Sequence, residues 1–402
     1  MNDEMSAYDV VVVGGGPSGA TAAADLARGG KKVLLLDKAG RIKPCGGAIP
    51  PRTLKDFDVP ESLLVARARS ARIVAPSDRS VDMPIEDNFV GMVDREIFDE
   101  WLRERAVRVG ADRRDGTYLR IERDPDGMAV VAFRPKGADE TERVRARCVI
   151  GADGANSQVA RQEIPAPPAP YVFAYHEIVE APAGMAGETY DGRRCDIYYQ
   201  GAFSPDFYAW VFPHGSTASV GTGSAQKGFG LREAVAGLRM KTGLAGCRTL
   251  RSEGAPLPLK PLRRWENGRD VIVTGDAAGV VAPASGEGIY YAMACGRMTA
   301  AAVDSFLETG DARALKLARK RFLKAHGRVF FILRIMQRFW YSTDRRRERF
   351  VSLCADPDIQ RLTWQSYLEK ELVRSDPMAH VRIFFKDLAQ LFGVVSPWGR
   401  RA

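Results

Sequence analysis

Histidine and paired cysteine are scarce in this 402-residue chain. Its four histidines (His176, His214, His326, His380) lie far apart, and its six cysteines (Cys45, Cys148, Cys195, Cys247, Cys295, Cys354) include no CxxC pair. This excludes a disulfide framework or a zinc ribbon and predicts reduced thiols, a cytoplasmic setting and no metal. Long apolar runs are missing too: nowhere do about eighteen apolar residues follow one another, so no simple bilayer-spanning helix is expected. The first expected strand starts near Tyr8, which leaves no room before it for a signal peptide. No internal repeat is found. With 45% hydrophobic and 27% charged residues the composition is that of an ordinary globular protein, long enough for two or three domains.

Acid is short in one place only. Between Arg313 and Arg349 there are thirteen Lys or Arg against Asp344 and Glu348, a surplus larger than the net +9 of the whole chain. The basicity therefore belongs to a C-terminal element, and no nucleic-acid partner is expected.

Glycine is plentiful, and it falls in patterns. Tyr8 to Val13 is a β-branched run that predicts a buried parallel strand, and Ser18 to Arg28 predicts the helix that follows. Between them Gly14 permits the tight turn, Gly16 lets backbone approach a pyrophosphate, and Gly19 lets helix pack on strand. Gly29-Gly30 ends the helix, Lys32 to Leu36 forms the next strand, and Asp37 stands where an acid binds the adenosine ribose. Two further strands run into Gly151-Ala152-Asp153-Gly154 and Gly275-Asp276-Ala277-Ala278-Gly279. Asp276 is placed for a ribityl chain or pyrophosphate, or for an N-cap. Gly286-Glu287-Gly288 would bring the next helix N-terminus beneath a flavin ring and favour negative charge there. Order and spacing of the three motifs suit one flavin dinucleotide.

This pattern resembles the glutathione-reductase-type flavoproteins of the aromatic hydroxylase branch, in which one interrupted Rossmann unit binds FAD. In that resemblance Arg95 matches an arginine that opens a helix beside the cofactor; a solvated helix-start arginine is the alternative. No second strand-GxGxxG-helix unit is present, so any NADPH would visit only transiently. Lys43-Pro44-Cys45-Gly46-Gly47-Ala48-Ile49-Pro50 and Pro205-Asp206-Phe207-Tyr208-Ala209-Trp210-Val211-Phe212-Pro213 are similar to the PxCGG loop and PxxYxWxFP motif of geranylgeranyl reductases. The stretch from Gly275 to Tyr291 resembles the branch acting in chlorophyll and bacteriochlorophyll synthesis. The resemblance implies FAD held by Gly14, Gly16, Ser18, Gly19, Asp37, Lys38, Cys45, Gly46, Arg95, Asp153, Asp276, Gly286, Gly288 and Ile289, with NADPH as transient reductant. It implies reduction of a geranylgeranyl group, as the diphosphate or esterified to (bacterio)chlorophyll, to phytyl.

Alternation turns Tyr208, Trp210 and Phe212 to one face of a strand, where they would line a slot for a prenyl chain or form a core aromatic ladder. An isolated alkene takes hydride only with acid assistance, so Tyr208 and Trp210 are candidates to stabilise developing positive charge, at about 0.5–2 kcal/mol each. Cys45 is a candidate proton donor or positioning group, against the usual role of cysteine as a small hydrophobe.

The expected fold is α/β: a glutathione-reductase/aromatic-hydroxylase-type, Rossmann-like FAD-binding domain (1–71, 90–164 and 263–310), an inserted antiparallel substrate-binding sheet (72–89 and 171–262) and a basic helical region (311–402). The four prolines between Pro165 and Pro170 predict a stiff crossover. Val329 to Trp340, with the Arg345-Arg346-Arg347 cluster, reads either as a helix lying on an anionic membrane or as a core helix with its arginines in solvent. The first would place the protein peripherally on the inner or photosynthetic membrane. Three other functions fit parts of the pattern: an archaeal-type prenyl-lipid reductase, an aromatic-ring monooxygenase, and a flavin-free prenyl carrier resembling the Rab GDP-dissociation inhibitors.

Overall fold

The computed structural model describes residues 7–38, 40, 42–182 and 189–370; the last part of the basic region, 371–402, lies outside the described residues. The chain separates into two compact units. One comprises Met1–Lys43, Arg95–Tyr171 and Pro256–Ile332, the other Pro44–Asp94, Val172–Ala255 and Leu333–Ala402. Segments 44–71 and 90–94, expected with the nucleotide domain, fall in the second unit because Ala48–Ile49, Leu64–Ala68 and Val90–Val93 pair there as a small sheet. Residues 311–332 fall in the first.

In the first unit the strand Ala7–Val13 pairs in parallel with Val33–Asp37 on one side and Glu142–Gly151 on the other. Val33–Asp37 pairs in parallel with Asp112–Arg123, and Glu142–Gly151 with Val271–Val273. Parallel strands covered on both faces must be apolar throughout, and Val10, Val11, Val12, Leu34 and Leu35 are wholly buried. Ala129–Pro135 joins Asp112–Arg123 to Glu142–Gly151 as an antiparallel excursion. Register decides what happens at the strand ends: Val13 lies opposite both Leu36 and Gly151, and Gly151 opposite Val273. All three glycine motifs therefore leave the sheet at one carboxyl edge, the position at which open α/β sheets bind ligands. The helix Pro17–Arg28 begins there with Pro17 at its first position, where no N–H is missed.

The second unit is built on a seven-stranded sheet in the order Thr249–Pro258, Tyr171–Glu180, Thr217–Ser224, Ala209–His214, Arg194–Tyr198, Ser70–Val74 and Ser80–Pro84. The expectation of an antiparallel sheet needs one correction: Arg194–Tyr198 and Ser70–Val74 run parallel. They come from distant parts of the chain, so no hairpin fixes their relative direction. One face packs the helix Leu231–Lys241 onto Val179, Val211, Ala218, Val220 and Tyr198.

Three helices, Lys316–Trp340, Asp344–Leu353 and Pro357–Glu369, follow the nucleotide fold. Phe322, His326 and Phe330, spaced four apart on the first, form its buried face and pack around Tyr291, with ring centroids 5.2 Å (His326) and 5.0 Å (Phe330) away. Phe331, Ile332 and Ile335 are exposed on the same helix. Thr343 and Asp356 cap the next two helices through their side-chain oxygens. No described helix is long and apolar enough to cross a membrane.

Candidate functional site

At the carboxyl edge of the first unit, backbone does most of the shaping. Gly14 has φ +108°, and a Cβ there would stand 2.3 Å from the Ala152 carbonyl oxygen, so the first and second motifs touch through backbone alone. Ala152 N–H donates to the Val13 carbonyl at 2.7 Å and Thr274 N–H to that of Gly151 at 2.9 Å, which ties the third motif in. A Cβ on Gly16 would meet nothing within 4 Å. The helix N-terminus, with its unpaired N–H groups, thus opens onto space that suits a pyrophosphate.

Side chains then lock the motifs together. Ser18 Oγ lies 2.8 Å from Thr274 Oγ1, Thr299 Oγ1 donates to Thr274 at 3.1 Å, and Thr274 Oγ1 lies 3.2 Å from Cys295 Sγ, all buried. Burial pushes the Cys295 thiol up to about 11, so it serves as a neutral small partner. Asp37 accepts the Gly15 N–H at 2.9 Å through one oxygen and pairs with Arg103 at 3.2 Å through the other. A carboxylate offers about four acceptor sites, which leaves two for ribose hydroxyls. Asp276 is buried and holds an ion pair with Lys43, a residue the sequence did not single out. A Cβ on Gly288, directly before the helix Ile289–Thr309, would lie 3.9 Å from Asp276 Oδ1. Gly286 takes φ +64° to make that approach.

Four further residues expected at the cofactor have these surroundings. The Asp153 carboxylate accepts from Ser157 Oγ at 2.5 Å, Gln158 N–H at 2.6 Å and Val159 N–H at 3.2 Å, where it anchors the start of the helix Gln158–Glu163. Burial raises its pKa and these bonds oppose the rise. Arg95 is buried and forked onto Asp99 at 2.8 and 2.7 Å within its own helix. Lys38 is exposed, and Ile289 is buried at the first position of its helix.

The second unit brings together two motifs some 160 residues apart in sequence. Tyr208, Trp210 and Phe212 line up on one face with ring centroids 5.9 Å and 6.2 Å apart, opposite the face covered by Leu231–Lys241. The glycine loop seats on this row: a Cβ on Gly46 would lie 3.0 Å from the Phe212 ring, and one on Gly47, at φ +70°, would lie 2.6 Å from His214 Nε2 and 2.5 Å from the Val93 carbonyl. Gly47 is therefore required by packing and backbone conformation, and Gly46 sits in tight contact with the ring. Cys45 is half-buried, and its Sγ accepts the Gly47 N–H at 3.4 Å. Burial lowers the pKa of His214 to about 4.

The arginine cluster behaves otherwise than expected. Arg347 is 3% exposed and donates to the carbonyl oxygens of Pro205 and Tyr341 while pairing with Asp344 at 2.5 Å. It is a structural strut that ties the Pro205 carbonyl to that of Tyr341, and Tyr341 shares a 3.0 Å hydroxyl contact with Tyr199, whose ring lies 6.1 Å from that of Tyr208. Of the three, Arg345 is exposed, and Arg346 is half-buried over the Phe339 ring at 4.4 Å.

The FAD binding domain family matches residues 7–169. A geranylgeranyl diphosphate reductase of Rhodobacter capsulatus is 58% identical over 97% of this chain and 99% of its own. The chain belongs to the geranylgeranyl reductase family. A digeranylgeranylglycerophospholipid reductase of Methanopyrus kandleri, at 31% identity over 78% of this chain and 84% of its own, is a more distant relative. Among solved structures, a geranylgeranyl bacteriochlorophyll reductase-like protein of Thermoplasma acidophilum shares the fold at TM-score 0.79 and 23% identity, covering 93% of this chain and all of that one. The α/β fold, with an FAD-binding domain of the aromatic hydroxylase type and a C-terminal helical region, is the one the sequence led us to expect.

Proposed function

We propose that this protein reduces the isolated C=C bonds of a geranylgeranyl group, free as the diphosphate or esterified to a (bacterio)chlorophyll, to the phytyl level, with FAD bound and NADPH as the electron donor. The observation that supports this most is the glycine loop packed against an aromatic row, an apolar face along which a methyl-branched prenyl chain can lie. Bound reduced flavin supplies the two electrons as a hydride equivalent. The chain's own residues do the rest.

In this reading Gly14, Gly16, Ser18 and Gly19 hold the pyrophosphate, Asp37 binds the ribose, and Asp276 with Gly286, Gly288 and the following helix start holds the ribityl and pyrimidine end. Tyr208, Trp210 and Phe212 receive the prenyl chain. An unconjugated olefin must gain a proton as well as a hydride, and positive charge develops on its tertiary carbon. Ring faces of Tyr208 and Trp210 stabilise that charge by about 0.5–2 kcal/mol each, and a dry wall keeps water from quenching it to an alcohol. Cys45, half-buried beside the row, delivers the proton or positions the chain. The exposed Phe331, Ile332 and Ile335, with exposed Arg328 and Arg338 on the same helix, support a peripheral hold on an anionic membrane, where such substrates reside.

Anaerobic incubation of the yellow holoprotein and NADPH with geranylgeranyl diphosphate, and separately with the geranylgeranylated pigment, tests the activity. Products gaining mass in steps of two hydrogens are expected on at least one. No gain on either removes the reading, and flotation on anionic against neutral liposomes at low and high salt tests the membrane part.

A further inference from the structure

Beside the aromatic row, on the same face of the sheet, lies a buried polar chain that the proposed reaction does not use. Register sets His176, Gly221 and Trp210 abreast on three neighbouring strands, with Ser219 on the same face of the middle one. A Cβ on Gly221 would stand 2.2 Å from Cζ2 of Trp210 and 2.7 Å from Cβ of His176, so the glycine leaves the space through which the indole crosses the strand. Trp210 Nε1–H donates to Ser219 Oγ at 3.1 Å, and His176 Nδ1 lies 3.1 Å from the same oxygen. Beyond, His176 Nε2 is 3.9 Å from Glu253, which pairs with Arg251.

The hydroxyl of Ser219 has one proton and two acceptor sites. It accepts from the indole, a donor only, and completes its own bonding through His176. Trp210, Ser219 and His176 are 6%, 0% and 3% exposed, so water cannot replace a lost partner. The arrangement selects the one orientation of the indole whose N–H edge faces Ser219; the ring face is left to the row formed with Tyr208 and Phe212.

We propose that Ser219 and His176 are positioning residues that hold the Trp210 indole in one orientation and thereby set how far reduction proceeds along a geranylgeranyl chain. This rests on the activity proposed above. Successive olefins must be presented to the same hydride donor in successive registers of the chain. A wall of fixed profile holds each register; a wall whose indole swings releases the chain early.

Four variants test it: Ser219→Ala, His176→Leu, His176→Asn, whose amide stands where Nδ1 was, and Trp210→Phe as spectroscopic blank. The ultraviolet resonance Raman band of the Trp210 indole N–H, read as the difference from Trp210→Phe, should shift toward weaker hydrogen bonding in Ser219→Ala. Ser219→Ala and His176→Leu should keep FAD and the first reduction, with the fully reduced fraction falling about tenfold in favour of partly reduced products. His176→Asn should restore the wild-type product pattern. Wild-type products from Ser219→Ala or His176→Leu, with or without a shifted band, overturn the proposal alone. If Ser219→Ala fails to fold, His176→Leu and its Asn counterpart decide. A wild-type protein that reduces no geranylgeranyl substrate overturns the proposed activity, and this inference falls with it.

Discussion

The carboxyl edge of the first unit and the aromatic face of the second are built by opposite means. The edge is made of backbone: glycines at strand ends, carbonyls in contact with the next motif, and helix N–H groups left open to a ligand. The face is made of side chains: Trp210 donates to Ser219 and lies over Gly221, and Phe212 packs against Gly46. Where backbone meets backbone, as at Gly14, an added atom has no room; where rings meet a loop, as at Phe212 and Gly46, a change on one side is felt on the other.

That contrast can be tested at both poles. Gly14→Ala adds a methyl at φ +108° with the Ala152 carbonyl oxygen 2.3 Å away, combining backbone strain with steric overlap. A loss of about 3 kcal/mol or more is expected, with colourless protein on purification and a lower Tm. A yellow Gly14→Ala protein of wild-type Tm would break the backbone half of the comparison.

Arg347→Met keeps the volume of the strut and removes its donors to Pro205 and Tyr341. About 2 kcal/mol should be lost in denaturant titration, with flavin content unchanged. Stability within about 0.5 kcal/mol of wild type would show that the segment leading into Tyr208 holds its place without these donors.

The smallest effect is a matter of pH. His214 titrates near 4 in the folded chain against 6.5 for an unburdened histidine, so between those values the unfolded chain binds the extra proton and the folded one does not. Stability should fall as pH drops from about 6.5 to about 4, by at most about 2 kcal/mol because the side chain is only half-buried. His214→Gln should flatten that slope. An unchanged slope would remove His214 from the pH response of the face.

The two halves were also unequally legible in the sequence. Strand, glycine turn and acid recur at Gly14, Gly151 and Gly275 because parallel strands demand apolar runs and tight turns demand glycine, so the frame of the first unit's carboxyl edge could be read without a structure. The alternation of Tyr208, Trp210 and Phe212 disclosed a shared face for the same local reason. Long-range partners left no such mark. Lys43 opposite Asp276, Asp153 spent on its own helix, and Arg347 turned inward from a run of three arginines follow from tertiary packing, which local pattern does not encode. Ser219 and His176 were invisible because a single serine and a single histidine on an alternating strand look like any others. The sheet's one parallel pairing was missed because it joins segments more than a hundred residues apart.

The contact between Gly46 and the Phe212 ring, 3.0 Å from where a methyl would sit, links two positions that any redesign of chain-length preference must treat as one. Shrinking residue 212 alone would open a hole under the loop, and enlarging residue 46 alone would push the ring out of line. Paired libraries that trade bulk across this junction are the route by which the same scaffold could be retuned to shorter or longer isoprenoids.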